Sequence, residues 1–272
     1  MNDLGIEHVA VWLDPLAVRG GAFLQALDWA NCLDVPLRIV GRSASSADAL
    51  LDGALAVPGE ECAAACAERG VAFDVVECSQ LGTSAQHLVR SRELTVFMGA
   101  LPARIRDVLL RWSVQTREAA TLVCPAVRSP VSRVLILHAP HGNAETFLAA
   151  ALSTCRLVRG NPVILTVART ERQARRGQLV AERACYANQV AAHLDYVAGV
   201  DVRAAVASIA RWRRCSHVVL EQPQSAPWWR RLRGDTLERL LGLTDSLTFL
   251  ALPEAGLQVV ADRPAVERST AR

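Results

Sequence analysis

The feature that most constrains this chain is an internal repeat: the same series of apolar segments occurs twice, with an offset of roughly 120 to 128 residues. In each copy, short apolar runs typical of buried strands alternate with longer stretches that have helical spacing. The paired strand segments are Val9–Leu13 and Val134–Leu137, Pro36–Val40 and Pro162–Val167, Phe73–Val76 and Leu194–Val197, Leu94–Met98 and His217–Leu220, and Thr121–Pro125 and Leu247–Pro253. The pattern predicts two copies of one structural unit.

The segments between the strands match as well. A helical stretch in each copy begins with the pattern Phe-Leu-x-Ala and keeps apolar residues on one face at steps of three and four. These faces consist of Phe23, Ala26, Leu27, Ala30 and Leu33 in the first copy and Phe147, Leu148, Ala151, Leu152 and Cys155 in the second. Further helices are predicted over Gly59–Arg69, Ser84–Arg90, Thr170–Ala192 and Val202–Trp212. A proline introduces the second strand of each copy, where a missing N–H is tolerated.

Strands that alternate with helices predict parallel pairing, because right-handed crossovers place helices on both faces of a sheet. The predicted fold is α/β, with two tandem doubly wound units, each a five-stranded parallel sheet in the order 3-2-1-4-5. The expected units are 1–127 and 133–253, joined by the short polar linker Arg128–Ser132 and followed by a flexible C-terminal tail, 254–272. We expect two separate sheets rather than a single continuous one.

Charge and cysteine usage exclude several classes of function. The basic residues number 30, all of them arginine, against 27 acidic residues, so the formal net charge is only +3 and nucleic-acid binding is not expected. Without lysine, Schiff-base chemistry and a phosphate-binding lysine are excluded. The eight cysteines form no CxxC ladder, which indicates reduced thiols. No secretory signal or membrane-spanning stretch is apparent, so we expect a cytoplasmic protein without membrane association.

The segment after the fourth strand of each copy resembles the nucleotide loop of the universal stress protein family, and the resemblance covers nearly the whole chain. In that family a strand-ending Asp contacts an adenine nucleotide. A loop of the form Gly, two residues, Gly, nine residues, Gly and then Ser or Thr holds the phosphates. In the second copy Glu221 and Gln224 stand at the two leading Gly places, and Gly234-Asp235-Thr236 starts the next helix. Ala139 stands where the family has the strand-ending Asp.

The first copy retains complementary parts of the motif. Asp14 ends its first strand and Gly99 follows its fourth, while Pro102 takes the second Gly place and Trp112-Ser113 takes the last pair. A carboxylate in place of glycine repels phosphate. The resemblance therefore implies a stress protein whose ATP binding is weak or lost. Its nucleotide-binding candidates are Asp14, Gly99, Ser113, Gly234, Asp235 and Thr236.

Arginine and tryptophan cluster in the second copy. Trp228–Arg233 lies in the loop, and Arg211–Arg214 lies near the end of the preceding helix. Arginine offers a planar fork for phosphate and tryptophan can stack on a base, so Arg230, Arg231 and Arg233 join the nucleotide-binding candidates. The alternative is structural, with tryptophans packed on the sheet edge and arginines in water near a helix C-terminus.

Three smaller patterns have a functional and a structural interpretation. His138–His141 follows the first strand of the second copy, but no Cys or carboxylate completes a zinc site there, so no metal is predicted. Cys62 and Cys66 are one helical turn apart, and we interpret them as an apolar helix face rather than a redox pair. Asp74 and Asp195, the second residues of the third strands, are interpreted as facing solvent.

No Ser-His-Asp elbow, Walker, HExxH or Rossmann motif is present, so we predict no catalytic residue and no cofactor. We expect a non-enzymatic binding or signalling protein of the stress response, with a small anionic ligand or a protein as partner. The alternative is a genuine ATP-binding stress protein with slow hydrolysis. A third interpretation, a nucleotidyl-transfer or pyrophosphatase relative, lacks the Gly-rich loop of that class. Because family members commonly dimerise through the fifth strand, the resemblance implies a monomeric pseudo-dimer or a homodimer.

Overall fold

The computed structural model describes residues 4–12, 21–42, 59–78, 92–98, 120–124, 131–140, 144–221, 240 and 246–252. In the first unit, strands and helices alternate. They are β1 (His8–Trp12), α1 (Gly21–Leu33), β2 (Leu37–Arg42), α2 (Gly59–Glu68), β3 (Phe73–Cys78), β4 (Glu93–Met98) and β5 (Ala120–Cys124). The helix predicted over Ser84–Arg90, linker residues 128–130 and the tail 254–272 lie outside the described residues.

The second unit repeats this order. Its elements are β6 (Arg133–His138), α3 (Ala144–Leu157), β7 (Asn161–Ala168), α4 (Glu171–Ala187), β8 (His193–Ala198), α5 (Val202–Arg213), β9 (His217–Glu221) and β10 (Thr248–Leu252). Every strand predicted from the apolar runs is present; inner strands such as β1, β5, β6 and β9 are buried on both faces, whereas the edge strands β3 and β8 are partly exposed.

One helix is shorter than predicted. The helical spacing favours a helix over Thr170–Ala192, whereas α4 begins after its N-cap Thr170 and ends at Ala187. Asn188 ends it: its backbone N–H and its side-chain amide both donate to the carbonyl of Ala184. Gln189 then adopts a left-handed conformation, φ 54°, which turns the chain toward β8.

The strands form one ten-stranded sheet in the order β3-β2-β1-β4-β5-β10-β9-β6-β7-β8. Each half therefore has the predicted order 3-2-1-4-5, and all strands within a half are parallel. The halves join through β5 and β10, which pair antiparallel with Leu122 opposite Leu250. The expectation of two separate sheets is wrong. The fifth-strand pairing that the resemblance implies between two subunits is satisfied here inside one chain.

The core lies on both faces of this sheet. One face carries α1, α2, α3 and α4 over a cluster that runs through both units; the other carries α5 in the second unit. The helix faces predicted from their spacing are buried: Phe23, Ala26, Leu27, Ala30 and Leu33 on α1, and Phe147, Leu148, Ala151, Leu152 and Cys155 on α3. A long apolar stripe on each helix therefore fixes which side packs against the sheet.

A buried polar contact crosses the junction between the two units. The Nε2 atom of Gln25, on α1, lies 2.8 Å from Nε2 of His217, at the start of β9. The Nδ1 atom of the same imidazole lies 2.9 Å from Oγ of Ser216. Both Gln25 and His217 are buried. The first and second units thus share a side-chain contact as well as a strand pair.

A buried ion pair lies on the opposite face of the first unit. The guanidinium of Arg38, on β2, is 3.3 Å from the carboxylate of Glu93, on β4, and both side chains are almost fully enclosed. Thr95 donates to the same carboxylate at 3.2 Å. Enclosed charges of this kind are tolerated only when paired, so the two side chains depend on each other.

Candidate functional site

The pairing register makes the two units comparable residue by residue. Val9 of β1 pairs with Leu37 and Leu94, and Val134 of β6 pairs with Pro162 and His217. When β1 is aligned with β6 as in the sequence repeat, Leu94 is therefore equivalent to His217. The same register gives equivalents for both residues of the buried ion pair: Arg38 is equivalent to Val163, and Glu93 is equivalent to Ser216.

All nine predicted nucleotide-binding residues lie outside the described part of the chain: Asp14, Gly99, Ser113, Arg230, Arg231, Arg233, Gly234, Asp235 and Thr236. What the structure does describe is the strand edge on which the predicted sites depend. In an open parallel sheet, ligands bind beyond the carboxyl ends of the strands, where the chain direction of the crossovers changes. In the second unit this position lies between β6 and β9.

Three buried polar residues lie at or near the carboxyl ends of the neighbouring strands β9, β6 and β7. His138 is the last residue of β6, Glu221 the last of β9, and Thr166 of β7 pairs in register with His138. The pair before them is Leu137 with Leu220, so His138 and Glu221 follow side by side. Strand alternation turns all three side chains to the face that carries α4. Their relative exposures are 0% for His138, 1% for Thr166 and 8% for Glu221.

Helix α4 packs directly on two of these residues. Gly177 comes so close that a Cβ atom there would lie 2.7 Å from Cγ2 of Thr166 and 3.4 Å from Nε2 of His138. The Cβ atom of Pro140 would be 3.2 Å away. Glycine is needed at this position because helix and strand end are already in contact. The ends of β6 and β7 are therefore covered by the protein itself.

The register also corrects one comparison made from the sequence. Glu221 is still within β9, opposite Leu252 of β10, and is equivalent to Met98 rather than to Gly99. At the three equivalent places the first unit has Leu13, Gly41 and Met98, against His138, Thr166 and Glu221. At these three places, then, polar residues occur in the second unit only. Thr166 had no signal of its own in the sequence, since an isolated threonine is ordinary in a strand.

Among the arginines at the end of α5, Arg213 has structural partners. Arg213 contacts both carboxylate oxygens of Asp195 at 3.1 and 3.0 Å, and its guanidinium lies 3.9 Å from the ring centroid of Trp212. Its carbonyl accepts from Arg133 at 2.9 Å. The interpretation that Asp195 simply faces solvent is wrong, because it sits beneath Arg213. Asp74, which the sequence repeat matches to Asp195 but the register matches to His193, is exposed.

The same arginines lie at the wrong end of the sheet for the predicted anion site. Arg213 precedes the start of β9, whereas Glu221 ends β9 and is the last described residue before the segment with Arg230, Arg231 and Arg233. The five residues of β9 separate these ends by roughly 13 Å. Arg211–Arg214 are therefore not brought to the carboxyl edge, and the structural interpretation applies to them.

The other small patterns are structural in the part of the chain that is described. Cys62 and Cys66 are buried on α2, and burial raises the pKa of the Cys66 thiol, which disfavours the reactive thiolate. None of the seven cysteines with described side chains is in a disulfide. Within the described residues, no three His, Cys, Asp or Glu side chains converge as a metal site would require. None of the helices there is long and apolar enough to cross a membrane.

Comparison with known proteins rests on structure alone, since no family model and no curated protein matches this chain. The universal stress protein of Pseudomonas aeruginosa UCBPP-PA14, described as putative, superposes with a TM-score of 0.65 at 14% identity, over 95% of this chain and 97% of that one. A universal stress protein from Archaeoglobus fulgidus gives 0.58 at 11%, over 90% and 95%. The cytoplasmic domain of a prokaryotic cation chloride cotransporter gives 0.58 at 12%, over 93% and 99%.

These similarities extend over nearly the full length of each chain, so they concern both units and their arrangement. At such low identity they describe architecture, and a transporter domain shares it with stress proteins. The resemblance seen in the sequence is confirmed at the level of the fold: this chain has the universal stress protein fold, repeated in tandem.

Proposed function

We propose that this protein is a cytoplasmic, non-enzymatic binding or signalling protein of the stress response, in which ATP binding by the universal stress fold is weak or lost. The observation that carries the proposal is the carboxyl edge of the second unit, where His138, Thr166 and Glu221 are buried and α4 lies on the strand ends. The partner is a protein or a small anionic ligand.

The electrostatics of the edge oppose a triphosphate. Phosphates are bound by backbone N–H groups at helix N-termini and by cations. Glu221 instead ends β9 with a carboxylate that is 8% exposed. Two like charges 4 Å apart repel by about 1 kcal/mol in water and about 4 kcal/mol near a protein surface. Repulsion of this size is enough to lower an ordinary nucleotide affinity by one to three orders of magnitude.

The packing of the edge opposes an adenine ring. A methyl group at Gly177 would already approach Thr166 within 2.7 Å, so a base has no space between α4 and the end of β7. In the first unit the support comes from the sequence, where Pro102 and Trp112 stand at glycine places of the family loop. Rigid and bulky residues there remove the close backbone approach that glycine allows.

Isothermal titration calorimetry of the full chain with magnesium ATP tests this proposal. We expect no saturable binding in the micromolar range, and no nucleotide among small molecules released by heat from freshly purified protein. Micromolar affinity would overturn the proposal in favour of the alternative, a genuine ATP-binding stress protein. The matched variant Asp14→Ala then locates the site: loss of that affinity would assign it to the first unit, and retention would assign it to the second.

A further inference from the structure

The contact between Gln25 and His217 occurs at only one of two equivalent places. His217 is equivalent to Leu94 by the pairing register, and the shared Phe-Leu-x-Ala pattern makes Gln25 equivalent to Ala149. The chain therefore has an apolar leucine and alanine where a two-fold related copy of the contact would be. The fold therefore does not require the imidazole, because the equivalent place in the first unit has Leu94 instead.

The arrangement around His217 suits a neutral imidazole. As placed, the amide nitrogen of Gln25 donates to Nε2, and Nδ1–H donates to Oγ of Ser216. A second proton would put an N–H of the ring against an N–H of the amide. Rotation of the amide would present its oxygen, but the positive charge would still be enclosed among Val134 of β6 and Thr248 of β10, the register partners of His217.

No counter-ion is available to an imidazolium from the described elements that pack here. On α1 the carboxylate next along the same face is Asp28, which is paired with Arg69 at 2.7 Å. Asp28 and Arg159, beyond α3, act in opposite directions on the Cys32 thiol of α1, and Arg133, next to Val134, donates to the carbonyl of Arg213. Burial lowers the pKa of His217 to about 4, in agreement with this geometry.

We propose that the contact between Gln25 and His217 makes the joint between the two units acid-sensitive. When the joint opens and exposes His217 to water, the imidazole can bind a proton; when the joint is closed, burial keeps the imidazole neutral. The closed joint therefore holds fully above the ordinary histidine pKa of about 6.5 and weakens as the pH falls toward the folded-state value. In acid the pairing of β5 with β10 loosens before the inner strands of each half.

Hydrogen exchange measured by mass spectrometry on the full chain tests this at pH 7 and pH 4.5. With the intrinsic exchange rate corrected, we expect protection of β5 and β10 to fall on the order of 50-fold more than that of β1 and β7. The matched variant Gln25→Ala with His217→Leu carries the residues of the equivalent place and should lose this difference. An equal fall in all four strands of the wild type, or an unchanged difference in the variant, would overturn the proposal.

A second variant keeps the test decisive if the apolar pair fails to fold. Gln25→Glu places a carboxylate beside the imidazole, which favours the charged form and raises the pKa of His217. We expect the acid-induced loss of protection at β5 and β10 to shrink at least several-fold. A profile identical to that of the wild type would refute the role of this contact.

Discussion

At the scale of single residues, the two units differ most in where they bury polar groups. The first unit encloses Arg38 and Glu93 on one face; the second has Val163 and Ser216 at the equivalent places. The second unit encloses His138 and its neighbours at the carboxyl edge, where the first has apolar residues or glycine. A duplicated backbone has thus acquired two different sets of enclosed side chains.

The enclosed ion pair gives a direct stability prediction. Arg38→Ala should lower the free energy of unfolding by about 3–5 kcal/mol, because it leaves the carboxylate of Glu93 enclosed and uncompensated. The double variant Arg38→Val with Glu93→Ser, which copies the second unit, should cost clearly less than the single change. Urea denaturation followed by circular dichroism measures both. A double variant less stable than Arg38→Ala would contradict this interpretation.

At the scale of elements, the strands were predictable and their surroundings were not. Val9–Trp12 and Val134–Leu137 are readable as strands because they are buried on both faces and leave a continuous apolar run. The end of α4 depends on Asn188, a polar residue that the apolar spacing does not register. The contact of Gln25 with His217 joins positions 192 residues apart, which no local pattern reports.

The contact of α4 with the strand ends is testable by adding one carbon. Gly177→Ala should lower stability by about 1–3 kcal/mol through overpacking, despite the gain of about 1 kcal/mol in helix propensity. Thr166→Ser removes the Cγ2 atom that the new methyl meets at 2.7 Å, so the double variant should recover part of the loss. Thermal unfolding of the three variants decides the matter. A stabilised Gly177→Ala protein would show that α4 does not press on β7.

At the scale of the whole molecule, the repeat predicted two five-stranded units but not their continuity. The apolar runs of β5 and β10 do not reveal which strand stands at an edge or what covers it. Only the family resemblance implied the fifth-strand pairing. The predicted nucleotide-binding residues belong to segments outside the described chain, so they stay predictions. Glu221 and His138 were noticed in the sequence because each stands where an apolar strand ends.

The continuous sheet predicts that the two units hold together without a covalent linker. A specific protease site inserted between Pro130 and Val131, then cut, should yield two fragments that co-elute in gel filtration at the size of the intact chain at neutral pH. The antiparallel pairing of β5 with β10 and the buried contact of Gln25 provide the association. Fragments that separate freely would show that the joint is too weak to act without the chain connection.

The antiparallel pairing of β5 with β10 reverses strand polarity in the middle of the sheet. Along either margin of the molecule, one unit presents the ends of its strands and the other presents their beginnings. A partner that lies flat against one margin meets both kinds of terminus, and a partner on the opposite margin meets them in exchanged order. Only exposed side chains that differ between the copies let a partner tell the two orientations apart.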